Sequence, residues 1–148
     1  MESTQKPVLK ALLVADHVYK DSTSGKIIVC GIFHNMFLRR TSEQPPAFTE
    51  VQNGFAAGSP FAYVAVTEAK GSHTLNLRYV NLATDLVYFQ VELKVECKDP
   101  LLTIDIPVPL PVLPMEKGVY ALELLWNSND PMGSFRITVG DVNDNTIH

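Results

Sequence analysis

Histidine and carboxylate side chains close together in the sequence are the first candidates for chemistry. Asp16 and His17 are adjacent, and His34 lies near the end of the next apolar segment. A carboxylate that orients an imidazole can create a general base. Neighbouring residues on a strand point to opposite faces, however, so Asp16 and His17 cannot serve one site. The chain has no Gly-x-Ser-x-Gly elbow, and neither cysteine has a plausible geometry for a triad. We therefore expect no enzymatic activity and a structural or surface role for each histidine.

The acidic run at the C-terminus is the second candidate, as a cation site. Residues 141–145 read Asp-Val-Asn-Asp-Asn and directly follow an apolar segment. They resemble the calcium-binding linker of cadherins, and their carboxylate and amide oxygens suit Ca²⁺. The chain lacks the other cadherin elements, a Leu-Asp-Arg-Glu motif and an Asp-x-Asp pair. We therefore favour a polar tail over a calcium site and expect no cofactor.

The two cysteines, Cys30 and Cys97, have a spacing that resembles the inter-sheet disulfide of immunoglobulin domains. The accompanying signature is absent, because Trp126 follows both cysteines in the chain. The N-terminus is polar and lacks the apolar region of a signal peptide. These features favour free thiols and a cytoplasmic location.

Composition excludes two classes of partner. The chain has 148 residues with a net charge of −4, and its lysines and arginines are scattered, which argues against nucleic-acid binding. No apolar run is long enough to span a membrane. The hydrophobic fraction is 46% but the charged fraction only 19%. So few charges indicate that some apolar surface is covered by a partner protein or a second copy.

The elements that would position any site are β-strands, because short segments alternate apolar and polar residues between turns. The clearest alternation runs from Val87 to Glu96. It predicts an all-β fold: a single-domain antiparallel β-sandwich of about seven to nine strands, immunoglobulin-like or C2-like, over residues 1–140. Residues 141–148 form a polar tail. The residues expected to point inward on three strands are Leu75, Leu77 and Tyr79; Tyr120, Leu122, Leu124 and Trp126; and Phe135, Ile137 and Val139.

The N-terminal segments differ from this pattern because they are apolar on both faces. Residues 8–19 and 26–37 flank a polar turn, which predicts a hairpin. Strands apolar on both faces are expected at the centre of a sheet. We therefore expect the outer face of this hairpin to meet a loop or another subunit. Residues 107–114 contain alternating prolines, which confine the stretch to an edge strand or to polyproline II and exclude a central strand. Residues 101–106 alternate just before them and predict a strand.

The segment at residues 38–60 is the best candidate binding site, because it has no clean period and such long connections are often functional. It carries Arg39, Arg40, Phe48 and Phe55, residue types that dominate interface hot spots. The two phenylalanines equally suit a cap on the open end of the sandwich. Residues 49–55 suit one or two helical turns.

Two pairs of segments together resemble a family of small, uncharacterised bacterial β-sandwich domains. The first pair is Ala-Leu-Leu-Val-Ala-Asp at residues 11–16 and Gly-Lys-Ile-Ile-Val-Cys-Gly-Ile-Phe at residues 25–33. The second is Lys-Gly-Val-Tyr-Ala-Leu-Glu-Leu-Leu at residues 117–125 and Phe-Arg-Ile-Thr-Val at residues 135–139. The resemblance implies a single sandwich in a bacterial or phage setting. It implies no activity and no functional residues.

The sequence thus predicts a non-enzymatic protein-binding or assembly module that self-associates. The alternative is a ligand-binding sandwich that takes carbohydrate or calcium at its loop end. Aromatic residues such as Trp126 or Tyr88 would then stack on a sugar, and residues 141–145 would hold the ion.

Overall fold

The computed structural model describes residues 5–38, 48–51, 54–57 and 59–141, and this part of the chain is all-β with no helix. It accordingly contains no helix able to cross a membrane. Eleven strands are present: β1 (Val8–Lys20), β2 (Ile27–Ile32), β3 (Asn35–Leu38), β4 (Phe48–Val51), β5 (Gly54–Ala57), β6 (Phe61–Thr67), β7 (Gly71–Asn81), β8 (Val87–Cys97), β9 (Ile104–Pro109), β10 (Gly118–Trp126) and β11 (Asp130–Asp141).

The strands form two sheets, as expected of a β-sandwich. Sheet A has four strands in the order β2-β1-β6-β9, and sheet B has seven in the order β5-β4-β3-β11-β10-β7-β8. All described pairs are antiparallel except β3 and β11, which run parallel from Asn35 and Thr138. The expectation of a wholly antiparallel sandwich is wrong at this pair. The chain crosses from sheet A to sheet B between β2 and β3, so no hairpin turn imposes an antiparallel neighbour there.

The hydrophobic core lies between the two sheets and follows the predicted alternation. Its fully buried members come from both sheets, with Val14 and Val64 facing Leu77 and Leu122. The inward sets expected on β7, β10 and β11 are confirmed, because those residues belong to this core or pack against it. Burying such side chains stabilises the fold by about 1.5–3 kcal/mol each.

Prolines mark an edge of sheet A, as the sequence predicts. β9 is the outermost strand on one side, and Pro107 and Pro109 pair with Tyr63 and Phe61 of β6. The strand begins at Ile104, so the expectation of a strand over residues 101–106 is wrong in its bounds. A strand that continues through prolines is tolerated here because an edge strand bonds on one side only.

The segment predicted as one long connection contains β4 and β5, two of the eleven strands found in the described residues. β4 and β5 pair antiparallel, with Phe48 opposite Ala57 and Glu50 opposite Phe55. The expectation of helical turns at residues 49–55 is therefore wrong. The pairing extends sheet B through a contact between β3 and β4.

Candidate interaction surface

The side chains of the predicted binding residues are not among those that the structure describes. Arg39 and Arg40 lie outside the described residues. Phe48 begins β4 and Phe55 lies in β5, but the described part of the chain does not include their side chains. Their role in binding a partner therefore stays a prediction.

The outer face of sheet A, the face turned away from sheet B, is largely apolar. The strand registers and the inward position of Val14 and Val64 define which residues lie on this outer face. One carboxylate lies on it, that of Asp105, which accepts a hydrogen bond from the Tyr63 hydroxyl. The residues of this face are Ala11, Leu13, Ala15, His17, Tyr19, Ile28, Cys30, Ile32, Phe61, Tyr63, Ala65, Asp105, Pro107 and Pro109.

Large side chains on this face stand around buried alanines. Ala15 and Ala65 are buried, whereas Tyr19, Ile28 and Ile32 are 50%, 47% and 42% exposed. The His17 ring stacks on Tyr19, with ring centroids 5.5 Å apart. The exposed side chains therefore cluster on the hairpin of β1 and β2. Clustered apolar exposure of this kind marks interaction sites.

β2 lies at the edge of sheet A, so the expectation of two central N-terminal strands is wrong for it. β1 takes the inner position because its halves have different partners. The half from Val8 to Ala15 pairs with β6, and the half from Ala15 to Lys20 pairs with β2. Among the described strands, nothing pairs with the far side of β2.

The backbone groups at the open edge of β2 follow from its turn. The Asp21 amide donates to the Lys26 carbonyl at 2.8 Å, which makes this a hydrogen-bonded pair. Hydrogen-bonded and non-hydrogen-bonded pairs alternate along an antiparallel ladder. The backbone groups of Ile28 and Cys30 therefore point to β1. Those of Ile27 and Val29 point to the open edge. The alternation ends at Gly31, because its φ is +76° and the Phe33 amide beyond it donates to the Val14 carbonyl of β1.

The opposite edge of sheet A is blocked. The Leu110 amide donates to the Pro60 carbonyl at 2.9 Å, so the same alternation places Pro107 and Pro109 at the open-edge positions of β9. Proline has no N–H, and a strand added there would lose those bonds. Of the two edges of sheet A, β2 is thus the one that can accept another strand.

Gly31 of β2 lies against the partly buried carboxylate of Asp16 on β1. Gly31 has a φ of +76°, and a Cβ at this position would lie 2.5 Å from Asp16 Oδ2. Asp16 Oδ1 is buried and has no hydrogen-bond partner among the described residues. Burial raises the pKa of the Asp16 carboxyl, an effect that the neighbouring His17 partly offsets. The close approach requires glycine at residue 31.

The sequence raised a pairing of Asp16 with His34 only as a candidate and favoured structural roles for the histidines. His34 stacks on Phe135 of β11, with ring centroids 5.0 Å apart. His73 is buried and accepts a hydrogen bond at Nδ1 from the Trp126 indole, at 3.1 Å. Its Nε2 lies 2.9 Å from the Lys70 carbonyl, so Nε2 carries the proton. These imidazoles are held by structural contacts.

A cleft of about 410 Å³ lies beside this surface. Tyr19, Lys20 and Ile27 line it from the β1–β2 hairpin, and Asp105 and Pro107 line it from β9. Sheet A therefore curves enough for the hairpin end to approach its far edge strand. The cleft combines an exposed aromatic ring with one positive and one negative side chain.

The other residues considered for ligands are placed as follows. Trp126 and Tyr88 are half-buried, and Tyr88 packs against Tyr120 at a centroid distance of 5.7 Å. Cys30 and Cys97 are free thiols in different sheets. Within the described residues, no three histidine, cysteine, aspartate or glutamate side chains are grouped to hold a metal. Residues 142–145 of the acidic run lie outside them.

Sequence reasoning expected the outer face of this hairpin to meet a loop or another subunit, but it did not single out Tyr19, Ile28 and Ile32 as binding residues. A signal was present, since the six residues of β2 carry no charge and no proline. What periodicity does not show is which side of a strand lacks a neighbour.

No protein-family model matches the chain, and no curated protein matches it. The resemblance to bacterial β-sandwich domains accordingly stays a prediction.

Proposed function

We propose that this protein is a non-enzymatic protein-binding or assembly module that self-associates through sheet A. The observation that carries the proposal is the open, uncharged edge of β2, beside the exposed side chains of Tyr19, Ile28 and Ile32. Long apolar edge strands are normally blunted by charge or proline. In sheet A the chain blunts β9 in this way but leaves β2 open.

Addition of a strand to an open edge is an established mode of recognition, in which backbone hydrogen bonds supply affinity and alternate side chains supply specificity. The uncharged residues of β2 allow two copies to approach without like charges meeting, although each chain has a net charge of −4. A second copy is thus a suitable partner for this edge.

The proposal also includes a sandwich type and a cellular location. We place the module among immunoglobulin-like or C2-like sandwiches, in keeping with its two packed sheets. A cytoplasmic location would keep the half-exposed Cys30 thiol on β2 reduced.

The first test is Ile28→Lys, which adds a charge to the open edge. We expect the unaltered protein to show a mass that rises with concentration in light scattering and sedimentation. The variant is expected to stay monomeric, with a dissociation constant at least about tenfold weaker, because an edge lysine disfavours strand pairing.

Leu86→Lys is the matched control, since Leu86 is 54% exposed and lies in the β7–β8 turn of sheet B. It makes the same chemical change away from the proposed interface and should leave the mass unchanged. A monomer at 100 µM for the unaltered chain would refute self-association, as would equal weakening by both substitutions.

A ligand-binding sandwich is the second candidate, and the cleft between the hairpin and β9 favours it. Tyr19 would stack on a sugar ring while Lys20 and Asp105 bond its hydroxyls. Under this alternative, soluble glycans would raise the melting temperature, because a ligand that binds only the native state stabilises it. Tyr19→Ala would abolish the shift. Ca²⁺ in place of glycan tests the acidic run, and no shift with either addition would dismiss the alternative.

A further inference from the structure

We propose that two copies of this chain pair β2 against β2, antiparallel, about a two-fold axis at Cys30. The inference rests on the self-association proposed above and specifies its register. Its elements are the direction of the free backbone groups, the side chains on each face of β2 and the symmetry of a dimer of identical chains.

Symmetry restricts the register. Two antiparallel edge strands in one continuous sheet are related by a two-fold axis perpendicular to that sheet. Such an axis keeps each face of the sheet on its own side. A residue must therefore oppose a residue of the same face, so Ile28, Cys30 and Ile32 can oppose only one another on the outer face. The axis then passes through a residue of β2 and not between two residues.

The side chains favour the axis at Cys30. Ile28 of one copy would then oppose Ile32 of the other, and the reverse contact would occur on the far side of the axis. Both isoleucines are more than two-fifths exposed in the single chain. Val29 would oppose Gly31 on the inner face. Every pair from residue 28 to residue 32 is then uncharged, and the outer apolar faces of both copies join.

The neighbouring registers are poorer. An axis at Val29 would place Ile32 opposite Lys26, and it would engage Ile27, which lines the cleft beside β9. An axis at Gly31 would place Ile28 opposite His34, beyond the end of the strand. Both leave an exposed isoleucine against a polar residue, at a cost of buried apolar area.

The backbone places Cys30 at a site suited to a cross-link. Its N–H and C=O point to β1, so in the dimer two Cys30 residues form a non-hydrogen-bonded pair, with Cα atoms about 4.5 Å apart. This distance lies within the range of disulfides. The backbone groups available for hydrogen bonds across the interface are those of Val29 in each copy, because they point to the open edge.

The size of the contact sets its strength. A contact of five residues per copy buries an area well below the roughly 1,200 Å² of a standard stable interface. We therefore expect a weak dimer whose population depends on concentration, unless the joined outer faces recruit more surface. Cross-linking is a suitable measurement because it captures such a species.

The test uses single-thiol variants of the full chain at a concentration where light scattering detects the dimer. Cys97→Ser leaves Cys30 as the only thiol. Diamide then oxidises two thiols to one disulfide and takes up their two hydrogen atoms. We expect covalent dimer to form at least about tenfold faster than in Cys30→Ser, where Cys97 reports random collision. Two further variants have both native cysteines replaced by serine. Val29→Cys cross-links if the two-fold axis passes through residue 29. The double variant Ile28→Cys, Ile32→Cys cross-links if residue 28 of one copy lies opposite residue 32 of the other, as proposed.

Rapid cross-linking of Cys30 and of the Ile28→Cys, Ile32→Cys variant, with slow cross-linking of Val29→Cys, supports the register. Faster reaction of Val29→Cys than of Cys30 overturns it, while a light-scattering dimer keeps the proposed self-association. Equal, slow rates for all variants in a solution that contains dimer place the interface elsewhere. A monomer at every concentration refutes both proposals.

Discussion

Replacing Tyr79 with alanine is expected to lower the free energy of unfolding by about 3–5 kcal/mol, the range for truncating a large buried aromatic side chain. Tyr79 is fully buried on β7. Its ring stacks on Phe89 and on Tyr120, each at a centroid distance of 5.4 Å. Removal of the ring leaves a cavity beside Phe89 of β8 and Tyr120 of β10, and a packed core collapses into such space only partly.

Tyr79→Phe separates the ring from the hydroxyl. The Tyr79 hydroxyl is buried and has no hydrogen-bond partner among the described residues. A buried hydroxyl without a partner costs stability. We therefore expect Tyr79→Phe to leave the free energy of unfolding unchanged or to raise it by up to about 1 kcal/mol. Chemical denaturation at pH 7 measures both variants, and a loss of more than about 1 kcal/mol in Tyr79→Phe would show that the hydroxyl has a partner.

The raised pKa values of three tyrosines lead us to expect a loss of folding stability at high pH. Burial, reinforced by neighbouring tyrosines, raises the pKa of Tyr79 above its usual range, and burial raises the pKa of Tyr120 to about 12. Burial and the Asp105 hydrogen bond raise the pKa of Tyr63 to about 12. Tyrosines of the unfolded chain ionise near 10. The stability that these groups contribute is therefore complete below about pH 10 and is lost as pH rises towards 12. Tyr79→Phe should reduce the slope of that loss.

The second large effect is expected at Gly31. Gly31→Ala should lower the free energy of unfolding by about 1–3 kcal/mol from the backbone alone, because its φ of +76° disfavours any side chain. The clash of the new Cβ with the Asp16 carboxylate adds to this loss. The carboxylate has little freedom to withdraw, since Asp16 Cβ itself would lie 3.1 Å from the new atom.

A double-mutant cycle with Asp16→Ala separates the two causes. Asp16→Ala alone is expected to be neutral or stabilising at pH 7, because it removes a partly buried carboxylate with an unpaired oxygen. The double variant should recover the part of the loss that comes from the clash and keep the part that comes from the positive φ. Full recovery would contradict the backbone strain, and no recovery would contradict the clash. Urea denaturation of the four proteins supplies the cycle.

Alanine at residue 31 also bears on the proposed dimer, because Gly31 lies in β2, opposite Val29 of the other copy in the proposed register. If the conformation of Gly31 matters only for folding, Gly31→Ala should still form the dimer under conditions in which the variant is fully folded. Loss of the dimer at full folding would place Gly31 in the interface.

The faces of the strands were predictable from sequence. Side chains alternate with a period of two on any strand, so the inward sets of β7, β10 and β11 are visible in local patterns. The edge position of β9 was predictable for a similar reason, because proline removes a backbone donor wherever the chain places it.

The candidate site was not predictable in the same way. The apolar residues of β2 are typical of a central strand, yet β2 lies at an edge because no strand of the described residues pairs with its other side. The parallel pairing of β3 with β11 joins segments about a hundred residues apart, as the register of Asn35 with Thr138 shows.

The sequence by itself thus determined the all-β class, the buried faces and the blocked edge, since each depends on the chemistry of neighbouring residues. Only the tertiary structure decided which apolar strand stays open, because strand order results from competition among distant segments for the same hydrogen-bonding edges. The free side of β2 and the position of Cys30 along it are products of that competition.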